Sequence, residues 1–163
     1  MKKVLIAIDY NPSSQKVAEK GYELAKAMNA TILLVHVIAE AVYYAMPYSP
    51  IMGYEGFIAN NTALLGDELN KEAGNFLKAS AKHLGDESIT TQVLEGNVAD
   101  SILEYAKKEA VDLMVLGSHS HSGLFKIFIG DVAEKVLKHT AIPLLIIPNK
   151  EEKNSADGKT ETA

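Results

Sequence analysis

Glycine, serine and histidine residues cluster in one loop of the sequence, between Gly117 and Gly130. The loop ends directly before a segment with helical spacing of its apolar residues. Glycines let backbone amides approach an anion closely, and the amino-terminal end of a helix offers unsatisfied N–H groups and a partial positive charge. Hydroxyl groups of Ser118, Ser120 and Ser122 add further hydrogen-bond donors. This composition predicts a site for a phosphate chain, although glycines in such turns also occur for structural reasons alone.

The same loop could carry other chemistry, and the sequence weighs against most of it. His119 and His121 lie two residues apart, but no third ligand with suitable spacing follows, so we expect a solvent-exposed pair and not a metal site. No serine of the loop has the G-x-S-x-G surroundings of a hydrolase nucleophile. Walker-type and dinucleotide-binding glycine motifs are absent, and a chain without cysteine cannot carry out thiol catalysis. Slow ATP hydrolysis and metal-dependent catalysis stay open.

Alternating strands and helices position this loop. Four short apolar runs predict strands at residues 4–8, 31–37, 113–116 and 144–147, and a weaker, alternating pattern predicts a third strand at residues 89–94. Helical spacing separates them, and Pro12 is expected in the first turn of the first helix. This alternation predicts an α/β domain with a parallel sheet and helices on both faces. Such sheets bind ligands beyond the carboxyl ends of their strands, where Asp9 and Gly117 are expected to face one crevice.

Two segments fall outside this alternation. Residues 39–61 carry many aromatic residues without a regular period, which indicates either an irregular loop pinned by its aromatics or used in subunit contact, or a lid over a ligand. Residues 149–163 are polar and without periodicity, so we expect them to be disordered. One domain is therefore expected over residues 1–148, with residues 39–61 as a long insert.

Composition limits the partners and the location. The net charge of -5 and the lack of a basic stripe argue against nucleic-acid binding. The apolar run that precedes Asp9 is too short for a secretory signal or a membrane span. We expect no membrane span and a cytoplasmic location. His36 lies within the second predicted strand and is expected to be a core histidine.

Several runs of the sequence resemble the universal stress protein family. They are VLIAID at residues 4–9, VHV at 35–37, LEGN at 94–97 and VLGSHSHSGLFKIFIGDVAEKVLKHTAIPLLIIP at 115–148. The resemblance implies a Rossmann-like fold, similar to that of adenine nucleotide alpha hydrolases, with five parallel strands in the order 3-2-1-4-5. It also implies a homodimer through antiparallel pairing of the last strands, here Leu144, Leu145, Ile146 and Ile147.

Many members of that family bind ATP through a glycine-rich loop. Its spacing is glycine, two residues, glycine, nine residues, then glycine and a hydroxyl residue. Gly117 and Gly130 match the first and last glycines of this loop. Ser120 replaces the second glycine, and Asp131 replaces the hydroxyl residue.

The resemblance also assigns roles at the ends of the first two strands. It implies that Asp9 lies near the adenosine and that Val37 contacts the adenine through its backbone. The expected nucleotide site comprises Asp9, Val37, Gly117, Ser118, His119, Ser120, Gly130, Asp131 and Val132.

Asp131 separates two hypotheses about function. A carboxylate about 4 Å from a phosphate opposes binding by about 4 kcal/mol per pair of charges in partly screened surroundings. Asp131 could serve as the N-cap of the last helix, or it could hold a Mg²⁺ ion that bridges to the phosphates of ATP. The favoured hypothesis is an ATP-binding, non-catalytic stress-response dimer that signals to an unknown partner. The alternative is a nucleotide-independent interaction or chaperone-like dimer in which Asp131 occupies the phosphate site.

Overall fold

Parallel strands and four helices alternate along the chain in the computed structural model, which describes residues 2–39, 51–54, 66–118 and 129–148. The strands are β1 (Lys3–Ala7), β2 (Thr31–Ile38), β3 (Thr90–Glu95), β4 (Leu113–Ser118) and β5 (Leu144–Pro148). The helices are α1 (Ser14–Ala27), α2 (Gly66–Leu84), α3 (Val98–Lys108) and α4 (Asp131–His139). The sheet has the order β3-β2-β1-β4-β5, and each neighbouring pair is parallel. The predicted fold class and strand order are confirmed.

The sheet is covered on both faces. Val4 and Ile6 of β1 pack in one apolar cluster with α1 and α2, whereas Leu5 belongs to a second cluster with α3 and α4. Successive side chains of a strand point to opposite faces, so a strand between two helical layers must be apolar at every position. This is why the central strands β1 and β4 appear as apolar runs, whereas the edge strand β3 has an alternating sequence and is more exposed. Each fully buried aliphatic side chain stabilises the fold by about 1.5–3 kcal/mol.

Close packing of α1 on β1 depends on a glycine. A Cβ atom on Gly21 would lie 2.9 Å from Cδ1 of Ile6. The Ile6 side chain therefore fills space that a larger residue at position 21 would need. This contact brings α1 close to the central strand.

Two boundaries differ from the sequence prediction. Pro12 precedes α1, because Asn11 accepts the Ser14 N–H at 2.8 Å through its carbonyl and the Ser13 N–H at 3.0 Å through Oδ1. These bonds form a separate turn before the helix begins. Gly117 belongs to β4 and not to the loop, since it pairs with Ile147 of β5.

Part of the aromatic insert lies within the described residues. Ile51 and Tyr54 form an antiparallel bridge, and both side chains are buried. The Tyr54 hydroxyl donates a hydrogen bond to Glu72 of α2 at 2.9 Å. Residues 51–54 are therefore held against α2, while residues 40–50 and 55–61 of the insert and the tail at 149–163 lie outside the described residues. In the described ranges, no helix has the length and apolar character needed to cross a bilayer.

Candidate functional site

The carboxyl ends of β1, β2 and β4 meet at one edge of the sheet. β1 lies between β2 and β4, and its pairing with them ends with Ala7 opposite Val35 and with Ile6 opposite Val115. If the register between β1 and β2 continues for two more residues, Asp9 lies beside Val37. Strand order reverses at β1, because the chain continues to β2 on one side and returns to β4 on the other. This is the position at which open parallel sheets form a ligand crevice.

Asp9 is fixed by the turn that leads into α1. Its Oδ1 atom accepts hydrogen bonds from the Asn11 N–H at 3.0 Å and from the Ser14 hydroxyl at 2.5 Å. The Asp9 N–H in turn donates to Ser14 Oγ at 3.1 Å. A carboxylate at this position also interacts favourably with the amino-terminal end of α1. The half-buried Asp9 side chain is therefore oriented before any ligand arrives.

His36 supports the same strand end from β2. Its Nδ1 atom lies 2.9 Å from the carbonyl oxygen of Ile8, and the side chain is buried. A carbonyl oxygen can only accept a hydrogen bond, so we assign the proton to Nδ1. Burial lowers the pKa of His36 and favours the neutral imidazole. The prediction of a core histidine is confirmed, whereas its contact with Ile8 was missed.

An aromatic cluster packs beneath this strand end. The Tyr10 ring lies 4.6 Å from the His36 ring and 4.7 Å from the Phe76 ring, between centroids. Tyr54 stacks on Tyr10 at 5.9 Å and meets Phe76 edge-on at 5.5 Å. The cluster therefore connects β2, α2, the turn after β1 and residues 51–54. Sequence reasoning did not find it, because the four rings come from four separate segments.

The other expected part of the crevice is the amino-terminal end of α4, the helix that follows β4 along the chain. Gly130 is the N-cap of this helix, with φ −55° and ψ 157°, so its backbone does not require glycine. Asp131 is the first helical residue and is exposed. The suggestion that Asp131 is the N-cap was therefore wrong, because the helix begins at Asp131 itself, one residue earlier than that role requires. Gly130 has no side chain to cap the helix.

The first turn of α4 carries negative charge. Asp131 and Glu134 both lie in it. The two lysines of α4 differ in their partners: Lys135 Nζ lies 2.8 Å from Asp100 Oδ2 of α3, whereas Lys138 pairs with Glu134 and offsets part of its charge. An anion at this helix end would meet backbone N–H groups and two nearby carboxylates.

The remaining predicted site residues fall on β2, β4, α4 and the loop. Val37 and Ser118 are buried, Gly117 is half-buried, and Val132 is 37% exposed. His119 and Ser120 lie outside the described residues. No group of three histidine or acidic residues suited to a metal ion occurs in the described ranges, and Asp131 belongs to no such group there.

A model of the Universal stress protein family matches residues 1–148. The chain belongs to the universal stress protein family. Universal stress protein MJ0531 of Methanocaldococcus jannaschii is 31% identical, over 92% of this chain and 85% of that protein. Universal stress protein YxiE of Bacillus subtilis is 30% identical, over 89% of this chain and 97% of that protein.

Solved structures of similar proteins share the fold. The structure of the hypothetical protein MJ0577 superposes with a TM-score of 0.68 at 24% identity, covering 92% of this chain and 97% of that one. A universal stress protein crystallised in complex with cAMP has a TM-score of 0.62 at 18% identity, covering 91% and 98%. At these identities the likeness concerns the fold. This universal stress protein therefore has the Rossmann-like arrangement of its relatives.

Proposed function

We propose that this universal stress protein binds ATP in the crevice between Asp9 and α4 and acts in the stress response without turnover. It is proposed to work in the cytoplasm as a homodimer that passes its nucleotide state to a signalling partner. Two features carry the proposal. The Asp9 carboxylate at the end of β1 is held in one orientation by Ser14. The helix that follows the neighbouring strand β4 begins with Gly130, an N-cap that has no side chain.

The Asp9 side of the crevice suits a nucleoside. A ribose offers hydroxyl donors, and a carboxylate accepts strong hydrogen bonds from hydroxyls. Asp9 is already held by Asn11 and Ser14, so binding does not have to order it. Pre-organisation of this kind raises affinity because less conformational freedom is lost on binding. Val37, on the adjacent strand end, is proposed to contact the adenine through its backbone.

At the α4 side, the backbone N–H groups attract a phosphate chain, whereas the acidic side chains of the first turn repel it. The first N–H groups of a helix have no partner within the helix and attract anions. Asp131 and Glu134 repel phosphate, so a Mg²⁺ ion held by Asp131 is proposed to neutralise part of the charge. Gly117, Ser118, His119, Ser120, Gly130 and Val132 complete the proposed site.

A similar structure supports the choice of an adenine nucleotide. That relative is a universal stress protein in complex with cAMP, and its chain superposes over 91% of this one. Cyclic AMP shares adenine, ribose and one phosphate with ATP. We therefore propose that adenosine recognition at Asp9 and Val37 is common to both nucleotides, and that the α4 end distinguishes the length of the phosphate chain.

The proposed dimer uses the edge strand β5. Its residues Leu144, Leu145 and Ile146 are partly exposed. The Pro143 carbonyl accepts a hydrogen bond from the Met114 N–H of β4 at 2.9 Å. Every second residue from Pro143 onward therefore turns its N–H and C=O groups toward β4, whereas Ile146 turns its N–H and C=O groups away from the sheet. An apolar edge of this kind favours pairing with another strand. In analytical ultracentrifugation, we expect Ile146→Pro to convert a dimer into a monomer, and a wild-type monomer would contradict this part of the proposal.

Calorimetric titration with ATP, with and without Mg²⁺, tests nucleotide binding. We expect Asp9→Asn to weaken ATP binding about tenfold, because a neutral amide accepts weaker hydrogen bonds from ribose. Gly130→Val should weaken it as well, since a branched side chain would stand over the free N–H groups. Asp112→Asn is the matched control, because Asp112 lies at the amino end of β4 and binds the Lys3 N–H at 2.7 Å.

The outcomes separate the proposal from its alternatives. Absence of ATP binding by the wild type, together with no nucleotide released on denaturation of the purified protein, would contradict it. Equal losses in Asp9→Asn and Asp112→Asn would point to a general effect of charge. Release of ADP and phosphate above the level of Gly130→Val would show turnover and contradict the non-catalytic role.

A second candidate is a nucleotide-independent interaction or chaperone-like dimer. It is favoured by the two carboxylates, Asp131 and Glu134, in the first turn of α4. In this case the wild type should suppress aggregation of a client protein equally well with and without ATP. Dependence of that activity on ATP would count against the second candidate.

A further inference from the structure

His36 contacts the two residues that flank Asp9. Its Nδ1–H group donates a hydrogen bond of 2.9 Å to the carbonyl of Ile8, the residue before Asp9. Its ring lies 4.6 Å from the ring of Tyr10, the residue after Asp9, at an interplanar angle of 59°. One side chain of β2 therefore holds both neighbours of the carboxylate at the end of β1.

The His36 ring is itself held in place. Phe76 of α2 meets it edge-on at 5.6 Å between centroids, and Phe76 also packs against Tyr10 at 4.7 Å. The side chain of His36 is only 3% exposed. A change of its rotamer would have to displace Tyr10 or Phe76, so its hydrogen bond to Ile8 has a fixed direction.

Packing alone does not account for a histidine at this position. The Nε2 atom of His36 is buried and has no hydrogen-bond partner among the described residues. A phenyl ring would fill similar space without burying a polar atom, which is unfavourable when it stays unpaired. What the imidazole provides and a phenyl ring cannot is the Nδ1–H donor to Ile8.

We infer that His36 is a positioning residue of the crevice, which sets the place of Asp9 by holding Ile8 and Tyr10. The inference rests on the proposed nucleotide site, where Asp9 meets the adenosine. Ser14 and Asn11 orient the Asp9 carboxylate from α1. His36 fixes the backbone that carries this carboxylate, from the neighbouring strand β2.

Nuclear magnetic resonance of the ligand-free protein tests the positioning directly. His36→Phe keeps the ring but removes the donor, and His36→Asn supplies an amide N–H near the position of Nδ1. Ile102→Val is the control, because it loosens the separate apolar cluster on the other face of the sheet. We expect the Asp9 amide and carboxyl resonances to shift in His36→Phe, to move back toward the wild type in His36→Asn, and to stay close to the wild type in Ile102→Val.

ATP titration then asks whether the positioning matters for binding. We expect His36→Phe to raise the dissociation constant of ATP about fivefold to tenfold, as for loss of one oriented contact. Added to Asp9→Asn, the same change should have less than about a twofold effect, because residues that act through one another are not additive. Binding of inorganic tripolyphosphate should not change in His36→Phe, since it engages only the α4 end.

Each outcome has one consequence. Unshifted Asp9 resonances in His36→Phe, equal shifts in Ile102→Val, or additive effects of His36→Phe and Asp9→Asn on ATP binding would each overturn the inference. A wild type that binds no ATP overturns the proposed function instead. The resonances of Asp9 then decide by themselves whether His36 sets its position.

Discussion

The two sides of the crevice are built in different ways. The β1 wall, residues 9–14, is held by side-chain hydrogen bonds and by the buried aromatic cluster behind it. The α4 wall, residues 130–132, is a helix end whose N-cap has no side chain and whose first residue is an exposed aspartate. The first wall is fixed by hydrogen bonds of its own side chains, whereas no side chain of the N-cap residue caps the helix at the second. If the proposed site binds a nucleotide, geometry should dominate at the first wall and electrostatics at the second.

The largest expected effect concerns the support of the β1 wall. Phe76→Ala removes a fully buried ring, so we expect the free energy of unfolding to fall by about 3–5 kcal/mol. Leu137→Ala on α4 is the matched control, because Leu137 is 49% exposed and should cost less than about 0.5 kcal/mol. Urea denaturation measures both. Similar losses in the two variants would mean that the walls do not differ in their supporting core.

The next prediction concerns the hydrogen bonds of the β1 wall. Ser14 is buried, and its hydroxyl serves both the Asp9 N–H and the Asp9 carboxylate. We expect Ser14→Ala to reduce the free energy of unfolding by about 1–3 kcal/mol, because two polar groups lose a partner. Ser13→Ala, whose hydroxyl binds only the exposed Asn11, should cost less than about 1 kcal/mol. A larger loss in Ser13→Ala would contradict the assignment of Ser14 as the support of Asp9.

Substitutions in the α4 wall should change the affinity for ATP through charge and should have little effect on the free energy of unfolding. We expect Asp131→Ser to strengthen ATP binding about tenfold in the absence of Mg²⁺, because it removes one exposed carboxylate from the phosphate site. With Mg²⁺ present the gain should vanish or reverse, since the proposed ligand of the ion is lost. Calorimetric titration measures both conditions, with Asp112→Ser as the control at the far end of β4. A gain that is the same with and without Mg²⁺ would exclude Asp131 as a ligand of the ion.

The smallest expected effect is the pH dependence of the β1 wall. Burial lowers the pKa of His36 in the folded state below its ordinary value of about 6.5. Below about pH 6.5, His36 of the unfolded chain binds a proton, whereas the buried His36 of the folded protein stays neutral. The free energy of unfolding therefore falls as the pH falls. The slope from this residue is at most about 1.4 kcal/mol per pH unit, and the effect ends once the pH drops below the folded-state pKa.

Urea denaturation between about pH 5.5 and 7.5 measures this slope. Glu19 and Asp86 titrate below this pH range. A hydrogen bond from His83 lowers the pKa of Glu19, and hydrogen bonds from Ser88 lower the pKa of Asp86. We expect His36→Phe to have a smaller slope than the wild type, while Leu137→Ala keeps the slope of the wild type. A steeper slope in His36→Phe would contradict a neutral, buried His36.

Much of the fold could be predicted because its signals are local. A run such as residues 113–116 is apolar at every position, which indicates a strand covered on both faces, and the residues between strands have helical spacing. Boundaries were less certain. Gly117 was assigned to the loop because glycine commonly ends a strand, but pairing with Ile147 keeps it in β4.

The candidate site was predicted in part. Asp9 and Gly130 were singled out because each directly follows or precedes a strong periodic pattern, and the order of strands makes β1 and β4 neighbours. The role of Ser14 could not be found, since a serine near the start of a helix has no sequence signal for a bond back to Asp9. The N-cap of α4 was misplaced by one residue, because Gly130 and Asp131 are both acceptable caps.

By itself, the sequence determined the alternation of strands and helices, the family, and the carboxylate of Asp9 that follows β1. These depend on residue type and on periodicity over a few positions, which a linear chain already displays. Only the tertiary structure decided that His36 binds Ile8 and that Tyr10, Tyr54 and Phe76 gather behind Asp9. Such contacts join residues that are 22 to 66 positions apart, and their geometry exists only once strand register and helix packing have been set.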